Sequence, residues 1–193
     1  EATRGAAPLA GWGGGGKGGD EVYTAAYGGM MGAWLQDGIT SFDRADIYGG
    51  YTTEEEFGEA LKEDPSLRQY MKLIAKCGIQ MTGPNRPLHS IKSYNTSKKQ
   101  SISSVERYLR NFGTDYIDVL LIHRPDPVMD PAEVAEAIEQ LKQHGKVLEF
   151  GGSNFLPNQT DMLWAHQTIE YNQTEISPSP RNTVHTALSQ NHK

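Results

Sequence analysis

Short apolar runs alternate with amphipathic segments along most of the chain. Runs rich in apolar and β-branched residues begin near positions 39, 71, 116, 147 and 168, and each predicts a β-strand. The run over 116–122 is the clearest, because it is apolar nearly throughout, as a strand covered on both faces must be. Amphipathic stripes and capping signals between the runs predict helices over about 20–36, 53–62, 97–111, 131–144 and 157–167.

The order of these elements indicates the fold class. A helix is predicted between each pair of successive strands, and the strands start 32, 45, 31 and 21 residues apart. Alternating strands and helices at this spacing predict an α/β protein with a parallel sheet and right-handed crossovers. A doubly wound sheet and a (β/α)₈ barrel both satisfy this pattern.

Reactive side chains follow the carboxyl ends of five predicted strands. An active site on the C-terminal face of a barrel needs several strands to deliver such groups to one rim. This placement therefore favours the (β/α)₈ barrel over the doubly wound sheet. The residues concerned are Asp43, Lys76, His123, the pair Ser153 and Asn154, and the pair Asn172 and Gln173.

Composition narrows the classes of partner and compartment. The 193 residues predict one domain, and the net charge of −6 argues against nucleic acid or an anionic membrane as the main partner. No apolar run approaches the ~18 residues that a membrane helix needs. Cys77 is the single cysteine, so no intrachain disulfide can form, and a cytoplasmic location is expected. We expect Cys77 to be a small buried packing residue.

The chain divides into three predicted parts. Residues 1–19 form a glycine-rich segment, whose ordering would cost much backbone entropy. Residues 20–177 contain the alternating strands and helices. Residues 178–193 have few aliphatic side chains and are expected to be a disordered tail.

Five short motifs resemble the successive motifs of the aldo-keto reductase superfamily. The closest likeness is to bacterial-type oxidoreductases whose fourth strand reads LLIHRPDP, and it extends over about residues 38–177. The motifs stand in order and at the proper spacing, which makes the resemblance specific. They are FDRADIYG from residue 42, AKCG from 75, LLIHRP from 120, GGSNF from 151 and YNQTE from 171.

The resemblance implies that Asp43, Tyr48, Lys76 and His123 are catalytic. Tyr48 would protonate a carbonyl oxygen as a hydride arrives from a nicotinamide. A free phenol has a pKa of ~10 and releases its proton reluctantly at neutral pH. The Lys76 ammonium would stabilise the phenolate, and Asp43 would keep that ammonium charged and oriented. His123 would supply a second hydrogen bond to the same oxygen.

The resemblance also implies the cofactor and the substrate class. The cofactor would be NADPH, with its carboxamide held by Ser153, Asn154 and Gln173. The reaction would be the reduction of a small aldehyde or ketone to the alcohol. No metal is expected, because the histidines show no metal-ligand spacing.

The chain is short for a complete barrel, which typically needs ~250 residues. A first strand near residues 8–12 would bring the total to about six of eight β/α units. In the family, the remaining units supply an aromatic side chain that stacks on the nicotinamide and the residues that bind the 2′-phosphate. We expect the open sheet edges to favour self-association. Two alternatives to an active reductase remain: a catalytically impaired NADP-binding or regulatory homologue, and an inactive truncated fragment.

Two further expectations concern residues inside the motifs. Asp46 and the acidic run that begins at Glu54 are expected to form a solvated helix start. Gly152 stands where the family usually has valine.

Overall fold

The computed structural model of the protein describes residues 19–174. The expected strand near residues 8–12, nearly all of the glycine-rich segment and the expected disordered tail lie outside these residues. Short 3-10 turns cover Tyr48–Gly50 and Pro65–Tyr70. The helices are α1 (Gly19–Gln36), α2 (Thr53–Glu63), α3 (Lys98–Phe112), α4 (Pro131–Gln143) and α5 (Pro157–Trp164). The strands are β1 (Ser41–Asp43), β2 (Lys72–Cys77), β3 (Ile79–Gln80), β4 (Ser93–Tyr94), β5 (Ile117–Ile122), β6 (Val147–Ser153) and β7 (Tyr171–Gln173).

Five of the described strands form one parallel sheet in the order β1-β2-β5-β6-β7. Apart from the separate β3–β4 pair, each strand of this sheet lies next to the sheet strand that precedes it in the chain. A doubly wound sheet would reverse direction at a switch point, and this order does not. The arrangement is therefore that of an incomplete (β/α)₈ barrel, as predicted. Self-association across its edges stays a prediction.

The helices cover one face of the sheet and form the hydrophobic core with it. Alternate strand residues point to this face, as the two-residue period of a strand requires. They pack on aromatic and aliphatic side chains of the helices, and all of these residues are buried. The central members are Leu73, Ala75, Leu120 and Phe150 from the sheet, and Phe57, Tyr108, Phe112 and Ile138 from the helices.

Two helix ends show how single residues set the bounds of the helices. Asp130 caps α4, because its Oδ1 accepts hydrogen bonds from the backbone nitrogens of Ala132 and Glu133 at 2.9 and 3.4 Å. Gly113 ends α3 with a φ of 63°, a left-handed conformation that glycine adopts without steric cost. Both ends lie where the sequence predicted them.

The opposite face of the sheet is concave and lines a cavity of about 1060 Å³. Ile74, Val119 and Leu121 supply apolar walls. At the amino ends of the strands, Lys72 Nζ lies 2.5 Å from Tyr171 Oη and 2.9 Å from a carboxylate oxygen of Glu149. This polar group connects β2, β6 and β7 across the cavity.

The segment between β2 and α3, for which the sequence predicted neither a strand nor a helix, contains a small hairpin. Ile79 pairs with Tyr94 and Gln80 with Ser93 in the antiparallel strands β3 and β4. Each strand has only two residues, too few for a period-2 pattern to be recognised in the sequence. The hairpin lies at the carboxyl end of β2, next to the rim on which the candidate site was expected.

Candidate active site

The segment after β1 carries the first two predicted site residues, Asp43 and Tyr48. Asp43 is the last residue of β1, so its side chain lies at the carboxyl end of the sheet. Gly49, in the 3-10 turn that follows, has a φ of 57°. A Cβ at Gly49 would lie 2.4 Å from Cγ2 of Thr53, so both the backbone conformation and the space require glycine. This turn fixes the direction in which the Tyr48 phenol leaves the backbone.

Lys76, near the end of β2, joins these two residues. Its Nζ lies 2.5 and 2.6 Å from the two carboxylate oxygens of Asp43 and donates a hydrogen bond to Tyr48 Oη at 3.1 Å. Lys76 is 2% exposed. A buried ammonium is costly unless it is paired, and Asp43 supplies the compensating charge. The structure thus brings these three predicted residues together around one ammonium group.

His123 directly follows β5 and faces the same phenol. Its ring meets the Tyr48 ring edge-to-face, with centroids 5.9 Å apart and an interplanar angle of 86°. Burial, followed by the positive charges of Lys76, Arg124 and Lys92, lowers the pKa of His123 from 6.5 to about 4. The imidazole is therefore neutral at pH 7 and can donate one N–H hydrogen bond without carrying charge.

The predicted cofactor residues lie at the ends of β6 and β7. Ser153 is buried, and its Oγ accepts a hydrogen bond from Asn154 Nδ2 at 3.0 Å. Asn154 has a φ of 58°, and its backbone nitrogen donates to the Gln173 carbonyl at 2.8 Å. The structure brings Ser153, Asn154 and Gln173 together. Their hydroxyl and amide groups offer both donors and acceptors, which fits a carboxamide.

Two neighbours in these motifs behave differently from the expectation. Asn172 lies beside Gln173 at the end of β7, but its side chain is used by the backbone: it accepts from the Phe155 nitrogen at 3.3 Å and donates to the Phe155 carbonyl at 2.9 Å. A Cβ at Gly152 would lie 2.6 Å from Cδ2 of Phe155. The Phe155 ring therefore fills the space that a larger side chain at position 152 would need.

A buried polar cluster lies behind Lys76, and the sequence analysis missed it. Asp46 and Glu54 were expected in a solvated helix start, but each is 2% exposed. Nη2 of Arg107 lies 3.2 Å from Oδ2 of Asp46, and its Nε lies 3.8 Å from Oε2 of Glu54. Tyr108 donates a hydrogen bond to the Lys76 carbonyl at 2.6 Å. The cluster thus connects α2 and α3 to the backbone of a predicted catalytic residue.

Burial changes the ionisation of this cluster. It raises the pKa of Asp46 from 3.8 to about 7, with the negative charge of Glu54 acting in the same direction and Arg107 against it. Burial also raises the pKa of Glu54. The signal in the sequence was the position of Tyr108, which lies three residues after Val105 and four before Phe112 on the buried stripe of α3. Arg107 directly precedes Tyr108 in the chain, so its guanidinium lies close to the buried face of α3, where it can pair with a buried carboxylate.

Other predictions for the site concern cysteine, metal and membrane. Cys77 is fully buried, and burial raises its pKa to about 12, so it packs as predicted and is not a nucleophile at neutral pH. Among residues 19–174, no three His, Cys, Asp or Glu side chains are grouped to hold a metal ion. Within the same range, no helix is both long and apolar enough to cross a membrane.

Comparisons with known proteins agree with this geometry. The sequence profile of the Aldo/keto reductase family matches residues 10–189. The chain is 54% identical over 147 residues to the uncharacterized oxidoreductase YcsN of Bacillus subtilis, which covers 75% of this chain and 49% of that protein. It is 42% identical over 147 residues to a 6-dehydroglucose reductase of Agrobacterium fabrum, covering 75% of this chain and 50% of that protein.

A solved structure shows the same fold. The glycerol dehydrogenase AKR11B4 from Gluconobacter oxydans superposes with a TM-score of 0.71 at 28% identity, covering 88% of this chain and 49% of that one. The chain thus spans about half the length of the relatives that it matches. The family profile nevertheless extends over most of its residues. The chain therefore belongs to the aldo/keto reductase family.

Proposed function

We propose that the protein reduces an aldehyde or ketone to the alcohol by hydride transfer from NADPH, with Tyr48 as the general acid. Membership of the aldo/keto reductase family supports a carbonyl reduction in general. The observation that carries the specific proposal is the contact of one buried ammonium, Lys76 Nζ, with both Asp43 and the Tyr48 hydroxyl.

Tyr48 gives its proton to the carbonyl oxygen as the carbonyl carbon receives the hydride. The C=O double bond becomes a C–O single bond, and the new alcohol carries the proton that the phenol has lost. The phenolate left behind lies 3.1 Å from the Lys76 ammonium, which stabilises its negative charge. Asp43 keeps that ammonium in place through contacts of 2.5 and 2.6 Å. Water then returns a proton to the phenolate.

His123 orients the carbonyl group. Because its imidazole is neutral at pH 7, it does not compete with Tyr48 as a proton donor but offers an N–H hydrogen bond to the substrate oxygen. Its ring lies at the edge of the Tyr48 ring, so one oxygen atom can be reached from both side chains. Two donors at one oxygen stabilise the negative charge that develops there during reduction.

Ser153, Asn154 and Gln173 would hold the carboxamide of the nicotinamide. A bound nicotinamide cofactor would supply the hydride, and the hydrogen bonds of these three residues would orient its carboxamide. The fit rests on their common position at the ends of β6 and β7. We also propose a cytoplasmic location, because a single buried thiol, Cys77, suits a reducing compartment.

The test is the oxidation of NADPH by the full chain in the presence of 4-nitrobenzaldehyde, followed at 340 nm. We expect turnover by the unmodified protein and a loss of about 10²-fold or more in Tyr48→Phe, which removes the acidic proton. Tyr70→Phe is the matched control, because Tyr70 is 60% exposed and the same atom is removed away from the rim.

The outcomes separate the reductase from its alternatives. Equal rates in Tyr48→Phe and the unmodified protein would contradict the role of the phenol. NADPH binding without turnover, measured by quenching of protein fluorescence, would favour a binding or regulatory homologue. The absence of both, together with a near-UV circular dichroism spectrum lacking fine structure, would favour an inactive fragment.

A further inference from the structure

Two basic side chains stand beside the candidate active site without partners among the described residues. Arg124 directly follows His123 at the carboxyl end of β5, and Lys92 immediately precedes β4. Both are exposed. Neither takes part in an ion pair or a side-chain hydrogen bond within residues 19–174. Their donors are therefore available to a ligand.

The β3–β4 hairpin is fixed to the rim, and so is Lys92 at its end. The backbone nitrogen of Asn95 donates to the Gly78 carbonyl at 2.9 Å, just beyond the end of β2. The backbone nitrogen of Met81 donates to Tyr51 Oη at 2.6 Å. Tyr51 ends the turn that presents the catalytic phenol. The hairpin is thus tied both to the end of β2 and to that turn.

The two positive charges reach the catalytic imidazole. Arg124 and Lys92 both contribute to the lowered pKa of His123, after burial and the charge of Lys76. Arg124 is the residue after His123, and Lys92 belongs to the hairpin that is hydrogen-bonded to the end of β2, so both stand on the same rim. The chain as a whole carries a net charge of −6, so this rim has the opposite sign to the molecule. Such a rim attracts anions.

The carboxylates of the same region are already engaged. Asp43 is bound by the Lys76 ammonium. Asp126, which follows Arg124 by two residues, is buried and accepts hydrogen bonds from Thr96 Oγ1 at 3.2 Å and from the Val128 backbone nitrogen at 3.0 Å. Asp43 offsets the charge of Lys76, and Asp126 offsets one further positive charge, so the two exposed cations leave this group of residues with a net positive charge.

We propose that Lys92 and Arg124 form a subsite for a negatively charged oxygen group, a carboxylate or a phosphate, carried by the carbonyl substrate. The inference rests on the proposed function and specifies its substrate class: anionic aldehydes or ketones in preference to neutral ones. Arg124 offers a planar fork of N–H donors, and Lys92 a point charge, both of which suit an oxyanion. The reacting carbonyl would lie against Tyr48 and His123, with the anionic group on the solvent side of the ring of His123.

Matched pairs of substrates test the preference. The first pair is 4-carboxybenzaldehyde and 4-carbamoylbenzaldehyde, which have nearly the same shape but differ in charge. The second is glyceraldehyde 3-phosphate and glyceraldehyde. We expect a KM about tenfold lower for the charged member of at least one pair, and a difference that shrinks in 0.5 M NaCl. The pair that shows the larger difference identifies the oxyanion as carboxylate or phosphate.

Variants assign the preference to the two residues. We expect Lys92→Gln with Arg124→Gln to raise KM for the charged substrate about tenfold, with little change in kcat or in KM for the neutral partner. Lys92→Arg should retain the preference, because the charge remains. The matched control is Lys99→Gln, an exposed lysine on α3 without an ion pair in the described part of the chain. Equal KM values for charged and neutral substrates, or equal losses for both in the double variant, would overturn the proposal.

Binding to the subsite can also be measured without turnover. We expect 4-carboxybenzyl alcohol to shift the ring NMR signals of His123 in a saturable way in the unmodified protein, and not in the double variant. If neutral aldehydes are reduced but neither this shift nor a charge preference is found, the subsite is wrong and the reductase stands. If the shift is found but no aldehyde is reduced, the subsite stands and the reductase is wrong.

Discussion

Asp46 should make the stability of the fold depend on pH. Its carboxyl group is buried beside Glu54, and burial and that neighbouring charge raise its pKa from 3.8 to about 7. Between these two pH values, the folded protein holds a proton that the unfolded chain has released. The contribution of Asp46 to the free energy of unfolding should therefore fall as the pH rises from about 4 to about 7, and it should stay constant above pH 7.

The size of the effect follows from the two pKa values. The full difference between pKa values of 3.8 and about 7 means that ionisation of Asp46 lowers the free energy of unfolding by about 4 kcal/mol at high pH. Part of that loss has already occurred at pH 5, where the unfolded carboxyl is ionised and the folded one is not. Integration between pH 5 and pH 8 leaves about 3 kcal/mol that is attributable to Asp46.

Urea unfolding at pH 5 and pH 8 measures this contribution. Asp46→Asn cannot ionise, so its stability relative to the unmodified protein should improve by about 3 kcal/mol between the two pH values. Glu59→Gln, which removes an exposed carboxylate from the same helix, controls for the change in net charge. If the unmodified protein and Asp46→Asn change in parallel from pH 5 to pH 8, the carboxyl of Asp46 does not titrate as argued.

Three further outcomes are expected. Gly58→Ala should cost roughly 1–3 kcal/mol in urea unfolding, because its Cβ would lie 1.8 Å from the Asn111 carbonyl oxygen, whereas Gly29→Ala, with open space, should not destabilise. Asp130→Ala should cost about 1 kcal/mol through loss of the α4 cap. The ring signals of His123 should titrate in NMR near pH 4, and a midpoint near 6.5 would refute the effect of burial.

Local patterns predicted most of the fold, because its elements carry strong signals. The run that became β5 is apolar, and α4 has an N-cap, a proline in its first turn and a glycine after its end. Strand β6 extends to Ser153, because Gly151 and Gly152 pair with β7 although they have no side chains to mark a strand. Local patterns could not reveal this pairing, which depends on the position of the neighbouring strand.

The predicted site residues were found through motifs, and the buried cluster behind them was not. Asp46 and Glu54 belong to a polar segment whose charges predict exposure when it is considered alone. Their burial depends on Arg107, which comes from a helix more than fifty residues later in the chain. A partner at that separation supplies the compensating charge only after the helices have packed together. Periodicity within α3 places Tyr108 on the buried face with Arg107 beside it, but it does not identify the carboxylates with which Arg107 pairs.

The strand order separates the two proposed groups of site residues, so that one group can be exchanged without the other. The proposed acid–base residues lie in or directly after three adjacent strands, β1, β2 and β5, whereas the proposed carboxamide contacts come from the ends of β6 and β7. The two sets share a single border, between β5 and β6. A graft that exchanges the segment from β6 onward with a homologue's would thus replace the proposed carboxamide contacts and leave the residues carried by β1, β2 and β5 in place.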